Sequence, residues 1–196
     1  MVDELIFFAT APKGIEPLLA DELRGLGASA VKETRAGVTF QGPLAVAYRA
    51  CLWSRTANRI LLPLARFRAD TPEALYAGVR AIDWAEHMVP DGTLAVDFST
   101  VQSRIGHSHF GAQKVKDAVV DEFRDLCGVR PSVALECPDI RINVYLRRDE
   151  ATVSLDLSGE SLHRRGYREE GGAAPLKENL AAAILLRAGW PAIAQA

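Results

Sequence analysis

The sequence has few cysteines, no long apolar run and little net charge. Its three cysteines are unevenly spaced among 196 residues and form no CxxC pair, which argues against a disulfide framework and against a cysteine-built zinc site. This sparing use of cysteine favours a reducing compartment, and we expect a cytoplasmic protein. The apolar run at residues 5–9 is too short for a membrane span or a signal-peptide core.

Catalytic and nucleotide-binding motifs are also missing. No P-loop, GxSxG or HExxH occurs, and the single GxG at residues 25–27 ends a predicted helix instead of following a strand. His107 and His109 lack a third ligand at a suitable spacing, so we expect no metal site and no catalytic residue. With a formal net charge of −2, attraction to nucleic acid has to come from a local basic patch.

The first 69 residues read as β-α-β-β-α-β. Apolar strand patterns occur at 4–10, 28–34, 37–42 and 59–69, and helical spacing of leucines follows the first of them. Pro43 opens the second helix, and Pro63 favours an edge position or a bulge in the last strand. This order is that of the ferredoxin-like folds.

A second α/β unit is predicted from residue 70 onward. Its helices are expected within 70–88 and at 111–128, and its strands at 93–101, 132–137, 140–148 and 151–158. The last two strands read as a hairpin that turns at Asp149-Glu150, with Ile142, Val144 and Leu146 on the buried face. The fold class is therefore α+β.

A first basic cluster surrounds the predicted start of the helix at residue 111. Lys114 and Lys116 near a helix N-terminus oppose the helix dipole, and such a local conflict is expected where a phosphate compensates it. The alternative is a solvated loop whose lysines pair with Asp117 or Asp121. The candidate RNA-binding residues of this cluster are Arg104, His107, His109, Lys114 and Lys116.

A second basic cluster follows the last predicted strand. Arginine forks suit phosphate oxygens, and a tyrosine among them can stack on an unpaired base. Charge runs at strand ends are also commonly solvated, and Glu169 and Glu170 could neutralise two arginines, so both interpretations stay open. The candidates here are Arg164, Arg165, Tyr167 and Arg168, with His163 beside them.

Four stretches carry a resemblance to a known family. They are FFATAPKGIEPLLADEL, FGAQKVKDAVVD, SLDLSGESLHRRGYR and AAPLKENLAAAILLRAGW, in this order. The succession resembles the N-terminal part of the bacterial large-subunit rRNA guanine-N2 methyltransferases of the RlmL (RlmKL) type. In that family a ferredoxin-like domain and an RNA-binding THUMP domain precede a methyltransferase domain that uses S-adenosylmethionine.

The resemblance implies three regions. Residues 1–69 would be the ferredoxin-like domain, 70–168 the THUMP domain, and 169–196 a linker and the first helix of a truncated methyltransferase domain. Lys177, Glu178 and Asn179 would line the edge of the cofactor pocket. The family's Gly-rich cofactor loop and its Asn/Asp-Pro-Pro motif are absent from the chain. We therefore expect no cofactor binding and no methylation by these residues alone.

The expected function is to bind structured 23S rRNA and position it for the catalytic domain of the same parent chain, without a membrane partner. One alternative is a protein-interaction or scaffolding module that uses the outward strand face of Arg141, Asn143, Tyr145 and Arg147. Another is a parent enzyme that methylates adenine N6 in DNA, since such enzymes share the fold of the missing domain.

Overall fold

The structure is a computed structural model that describes residues 4–166 and 175–193. The described residues form two compact units. The first unit contains the residues up to Leu62 together with those from Leu157 onward, and the second contains Pro63–Asp156. Among the described helices, none is both long and apolar enough to cross a membrane.

The first unit has the predicted order, with β1 at Leu5–Thr10, α1 at Glu16–Gly25, β2 at Ser29–Thr34, β3 at Gly37–Gly42, α2 at Leu44–Trp53 and β4 at Arg59–Arg68, of which residues 59–62 belong here. The strand order is β2-β3-β1-β4, and each strand runs antiparallel to its neighbours. The ferredoxin-like prediction is therefore confirmed.

The core of the first unit lies between these strands and α1 and α2. Phe7 and Phe40, from neighbouring strands, stack with their ring centroids 5.2 Å apart. Leu19 and Leu23 of α1 and Ala47 of α2 are fully buried in the same cluster. The helical spacing of these apolar residues explains why one face of each helix is buried.

The segment after residue 156 belongs with this first core. The N–H of Leu157 donates to the carbonyl of Ile60 at 2.9 Å, and that of Leu162 donates to Asn58 at 2.8 Å. The Leu162 side chain is buried in the first cluster. Two short helices follow, α5 at Glu178–Arg187 and α6 at Trp190–Ile193. The family resemblance implied that the second domain extends to residue 168. The contacts of Leu157 and Leu162 instead join residues 157–166 to the first unit.

The second unit contains the rest of β4, α3 at Pro72–Arg80, β5 at Thr93–Val101, α4 at Ser108–Cys127, β6 at Ser132–Val133, β7 at Ile140–Arg147 and β8 at Glu150–Asp156. β5 runs parallel to both β6 and β7, whereas β7 and β8 form an antiparallel hairpin. Ile142, Val144 and Leu146 are fully buried, as predicted. Their core partners include Val115, Val119 and Phe123 of α4.

Several boundaries differ from the predictions. The helix expected within 70–88 ends at Arg80, and the indole N–H of Trp84 then donates to the carbonyl of Val79 at 2.9 Å. The strand expected at 132–137 has only two residues. The hairpin turns at Arg148-Asp149, one residue earlier than predicted, and both residues have left-handed φ angles of 52° and 60°. This is the backbone that a two-residue hairpin turn requires.

The start of α4 matters most for the site. The predicted helix begins at Gly111, but the first helical hydrogen bond runs from the N–H of Gly111 to the carbonyl of His107 at 3.0 Å, so α4 begins at Ser108. Lys114 and Lys116 therefore lie in the second and third turns. The prediction that these two lysines oppose the helix dipole was therefore wrong, because the interaction of a charge with the dipole falls off within the first turn of the helix.

Candidate nucleic-acid interface

The parallel strands β5 and β7 end side by side, and the segments that follow them meet there. Val101 is the register partner of Arg147. The N–H of Arg148 donates to the carbonyl of Val101 at 3.1 Å, and the N–H of Arg104 donates to Asp149 Oδ1 at 2.8 Å. The loop after β5 is thus tied to the turn after β7. The carboxyl ends of parallel strands are a common place for ligand sites in α/β sheets.

Basic side chains gather at this end. The Arg104 side chain is 69% exposed, and its nitrogens lie 3.8 Å from the carboxylates of Asp70 and Asp149. Exposed pairs of this kind are weak, so a phosphate oxygen can replace the carboxylates. Arg148 is exposed at the tip of the turn, with Nε 3.4 Å from Gln102 Oε1. We call the following set the basic end of the second unit: Arg104, His107, His109, Lys114, Arg147 and Arg148.

The first turns of α4 extend the basic end. His107 and His109 are exposed, and a ring nitrogen of His109 lies 3.2 Å from Gln113 Nε2. Lys114 is partly exposed, and its Nζ lies 5.9 Å from the centroid of the Phe110 ring, within the range of a cation–π contact. Lys116 forms an ion pair with Asp117, as the solvated-loop interpretation allowed. Lys116 is therefore left out of the basic end.

The C-terminal half of α4 carries the opposite charge. Arg80 on α3 donates to Glu122 at 2.8 Å and to Asp125 at 2.5 Å, and Tyr76 donates to Asp121 at 2.9 Å. The hydrogen bond from Arg80 lowers the pKa of Asp125. These contacts join α3 to α4, and the carboxylates of α4 serve as acceptors for side chains of α3. A polyanion is therefore favoured at the N-terminal end of α4 and opposed at its C-terminal end.

A polar cleft opens beside the first turn of α4. Its volume is about 310 Å³. Asp97 and Asn143 are register partners on β5 and β7, and both line it together with Ser99. The remaining lining residues are Val96, Phe98, Ser108, His109 and Ala112. The basic end is thus next to a recess with hydrogen-bonding groups, and not on a flat surface.

The second predicted cluster lies in the first unit, where Arg165 has a structural contact. Its Nη1 donates to the carbonyl of Leu52 at 3.1 Å, and its Nη2 donates to that of Ser54 at 2.8 Å. The guanidinium therefore satisfies carbonyls at the C-terminal end of α2, where the helix dipole favours a cation. Arg164 is exposed. Tyr167 and Arg168 lie outside the described residues.

His163 lies within this cluster and is partly buried. Its Nδ1 is 2.7 Å from Ser161 Oγ. Burial lowers the pKa of His163, and the positive charges of Lys177 and Arg164 lower it further. The imidazole is therefore held in its neutral form, which accepts or donates hydrogen bonds but adds no positive charge to the cluster.

The three residues predicted to edge a cofactor pocket lie at the start of α5. Glu178 accepts a hydrogen bond from the N–H of Arg165 at 2.9 Å. Asn179 is 2% exposed, and its Nδ2 donates to Asn58 Oδ1 at 2.7 Å. Lys177 is exposed at the N-cap position. Two of the three side chains, those of Glu178 and Asn179, therefore connect α5 to the rest of the first unit.

Sequence reasoning did not include Arg148 among the candidate binding residues and assigned Arg147 only to a candidate protein-binding face. The two follow a strand and precede Asp149, a pattern that could have indicated a basic hairpin tip. Within the described part of the chain, no group of three His, Cys, Asp or Glu side chains is placed to hold a metal ion.

Two family models match the chain. The RlmL ferredoxin-like domain matches residues 6–61, and the THUMP domain matches residues 69–156. Among curated relatives, the ribosomal RNA large subunit methyltransferase K/L of Methylococcus capsulatus is 69% identical over 188 residues, which cover 96% of this chain and 26% of the relative. The chain spans about a quarter of the length of the curated relatives it matches.

Solved structures share the fold. A predicted N6-adenine-specific DNA methylase from Listeria monocytogenes has a TM-score of 0.81 and 29% identity, covering 94% of this chain and 48% of that one. SMU.472, solved in complex with SAH, has a TM-score of 0.81 and 32% identity, covering 95% of this chain and 49% of that one. This chain is therefore similar to about half of each of these proteins.

Proposed function

Because the chain belongs to the RlmL family, whose ferredoxin-like and THUMP domains it carries, we propose that it binds structured large-subunit ribosomal RNA and positions it for methylation. The observation that carries this proposal is the basic end of the second unit. It lies within the residues matched by the THUMP model, and THUMP is an RNA-binding domain. The proposal implies a cytoplasmic protein.

The charge distribution suits recognition of an RNA backbone. Basic side chains from two stretches that are distant in sequence, residues 104–114 and 147–148, meet at the ends of β5 and β7, while the acids of α4 lie toward its other end. Folded RNA is recognised largely through phosphates, 2′-hydroxyls and shape. A local patch on a rigid sheet therefore suffices, although the whole chain is slightly acidic.

The chemistry proposed for the whole protein is transfer of a methyl group from S-adenosylmethionine to N2 of a guanine in 23S rRNA. The names of the curated relatives support an rRNA substrate, and the complex of SMU.472 with SAH supports the cofactor. A guanine in folded RNA has to be exposed before its amino group can react, so a separate RNA-binding region helps to select one nucleotide. Calorimetry of this chain with S-adenosylmethionine should detect no binding.

DNA is the second candidate substrate, because one similar solved structure is called an N6-adenine-specific DNA methylase. The THUMP match and the rRNA methyltransferase relatives favour RNA over DNA. Binding measurements with a folded 23S rRNA fragment and a DNA duplex of equal length discriminate the two. We expect tighter binding to the RNA at every salt concentration.

The salt dependence of RNA binding tests the assignment of the basic end. The double variant Arg104→Gln, Arg147→Gln should lower the slope of log K against log salt by about 0.7 to 0.9 for each lost phosphate contact. Arg130→Gln is the matched control, because Arg130 is an exposed arginine of the same unit that follows the C-terminal end of α4. An unchanged slope in the double variant would refute the assignment.

A further inference from the structure

Helix α2 has an apolar stripe that faces away from its own core. Val46, Ala47 and Ala50 are buried, but Tyr48 is 51% exposed, and Leu52 and Trp53 are each 69% exposed. Single exposed apolar residues are ordinary, whereas a cluster that includes an indole indicates a binding surface. The strongest exposure lies at the C-terminal end of the helix.

Two arginine side chains lie beside Trp53. The carbonyls immediately before and after this residue, those of Leu52 and Ser54, both accept from the guanidinium of Arg165 at 3.1 and 2.8 Å. Arg55 follows two positions later, and its side chain is 61% exposed although Nε donates to Glu22 at 3.0 Å. Two arginines are thus held by hydrogen bonds next to an exposed indole.

The neighbouring carboxylate does not compete with an anionic ligand. Glu22 is 10% exposed, and besides Arg55 it accepts hydrogen bonds from Ser54 Oγ at 2.9 Å and from Thr56 Oγ1 at 2.7 Å. Its lone pairs are directed into the protein. The outward surface at the end of α2 therefore combines an aromatic face with cations.

We propose that this surface is a second RNA contact, on which an unpaired base stacks against Trp53 while Arg55 and Arg165 attract the flanking phosphates. The inference rests on the proposed RNA-binding function and adds single-stranded RNA as the chemistry that the first unit recognises. Aromatic side chains flanked by cations are the usual means of holding single strands without reading their sequence. A purely apolar protein partner would remove water from the 61% exposed Arg55 side chain without offering a negative charge in return.

Tryptophan fluorescence tests the stacking directly. In the Trp190→Phe variant the remaining indoles are Trp53 and the buried Trp84, so a change on binding reports on Trp53. A single-stranded 12-nucleotide RNA should quench this emission, and the same RNA in a duplex should quench it less. The Trp53→Phe variant, which keeps the 52% exposed Trp190, should show no quenching.

Affinity gives the second readout. Trp53→Ala should weaken binding of the single strand by about fivefold to a hundredfold, and Trp53→Phe should lose less. The affinity of Trp190→Ala for the single-stranded RNA should stay within twofold of that of the parent chain. The proposal would be overturned if the RNA quenched the Trp53→Phe variant as much as the Trp190→Phe variant, or if Trp53→Ala bound the single strand with unchanged affinity. So would light scattering that finds the parent chain dimeric and Trp53→Ala monomeric, because the stripe would then bind a second copy.

The two RNA proposals fail separately. If the ribosomal RNA function is wrong, neither the Arg104→Gln, Arg147→Gln pair nor Trp53→Ala changes binding of a folded rRNA fragment more than Arg130→Gln does. If only the stacking inference is wrong, the arginine pair still lowers the salt slope for folded RNA, and Trp53→Ala changes nothing with the single strand.

Discussion

Several charged and amide side chains of the first unit hold segments of the chain together, whereas most side chains at the basic end of the second unit are exposed. Glu22 joins α1 to residues 54–56, and Asn179 joins α5 to Asn58. In the second unit, Arg104 and Arg148 extend from the ends of strands with weak or long contacts. In the densest basic cluster of the sequence the Arg165 guanidinium caps α2, so a high local density of positive charge does not by itself identify a binding surface.

The largest effect should come from breaking the internal contacts of the first unit. Glu22→Ala leaves the hydroxyls of Ser54 and Thr56, which are 1% and 0% exposed, without their acceptor. We expect a loss of about 2 to 4 kcal/mol in the free energy of unfolding, because buried polar groups without partners are costly. Hydrogen exchange of amides 54–58 across a series of urea concentrations measures this change in the free energy of unfolding.

Asp21→Ala is the control for this change. Asp21 is the preceding residue on the same helix, but its side chain is 76% exposed and pairs with the exposed Arg24. Its removal should change stability by less than about 1 kcal/mol. Equal losses in the two variants would contradict the role given to Glu22.

The position of α4 in the second unit depends on a close approach at Gly111. A Cβ added there would lie 2.5 Å from Phe98 Cε1, so Gly111→Ala should destabilise the unit by about 1 to 3 kcal/mol. Helix propensity alone predicts the opposite sign. Thermal unfolding followed by circular dichroism should give a lower Tm than in Gly106→Ala, where a Cβ meets no atom within 4 Å. A Tm at or above that of the parent chain would refute this packing argument.

The smallest effect concerns His163. Its folded-state pKa lies below the ordinary value of 6.5, so the unfolded chain takes up a proton first as the pH falls. The stability that this neutral imidazole contributes is complete above pH 6.5 and decreases as the pH falls below it. Hydrogen exchange at residues 157–166 should accelerate from pH 7 to pH 5 after correction for intrinsic rates. The His163→Gln variant should lack that part of the pH dependence.

The elements of the fold were largely predictable because their signals are local. Alternating apolar residues identified β5 at residues 93–101, and Pro43 correctly marked the start of α2. The start of α4 was missed because His107 is not a preferred N-cap residue, and the glycine at 111 looked like a boundary. The contact that turns Arg165 into a cap joins residues 113 positions apart in the sequence, and no local pattern reports it.

The site was less predictable for the same reason. Arg104, His107, His109 and Lys114 were candidates because they are close in sequence, whereas Arg147 joins them only through the parallel pairing of β5 with β7. Lys116 was indistinguishable from Lys114 until its ion pair with Asp117 was known. The pairing of β5 with β7 thus decides which basic side chains share a surface.

The most direct test of the account is hydrogen–deuterium exchange of the chain with and without a folded 23S rRNA fragment. If the basic end of the second unit binds the RNA, exchange should slow at residues 102–116 and 145–149 and stay unchanged at residues 121–130. Slower exchange at residues 121–130 with none at the basic end would contradict the account.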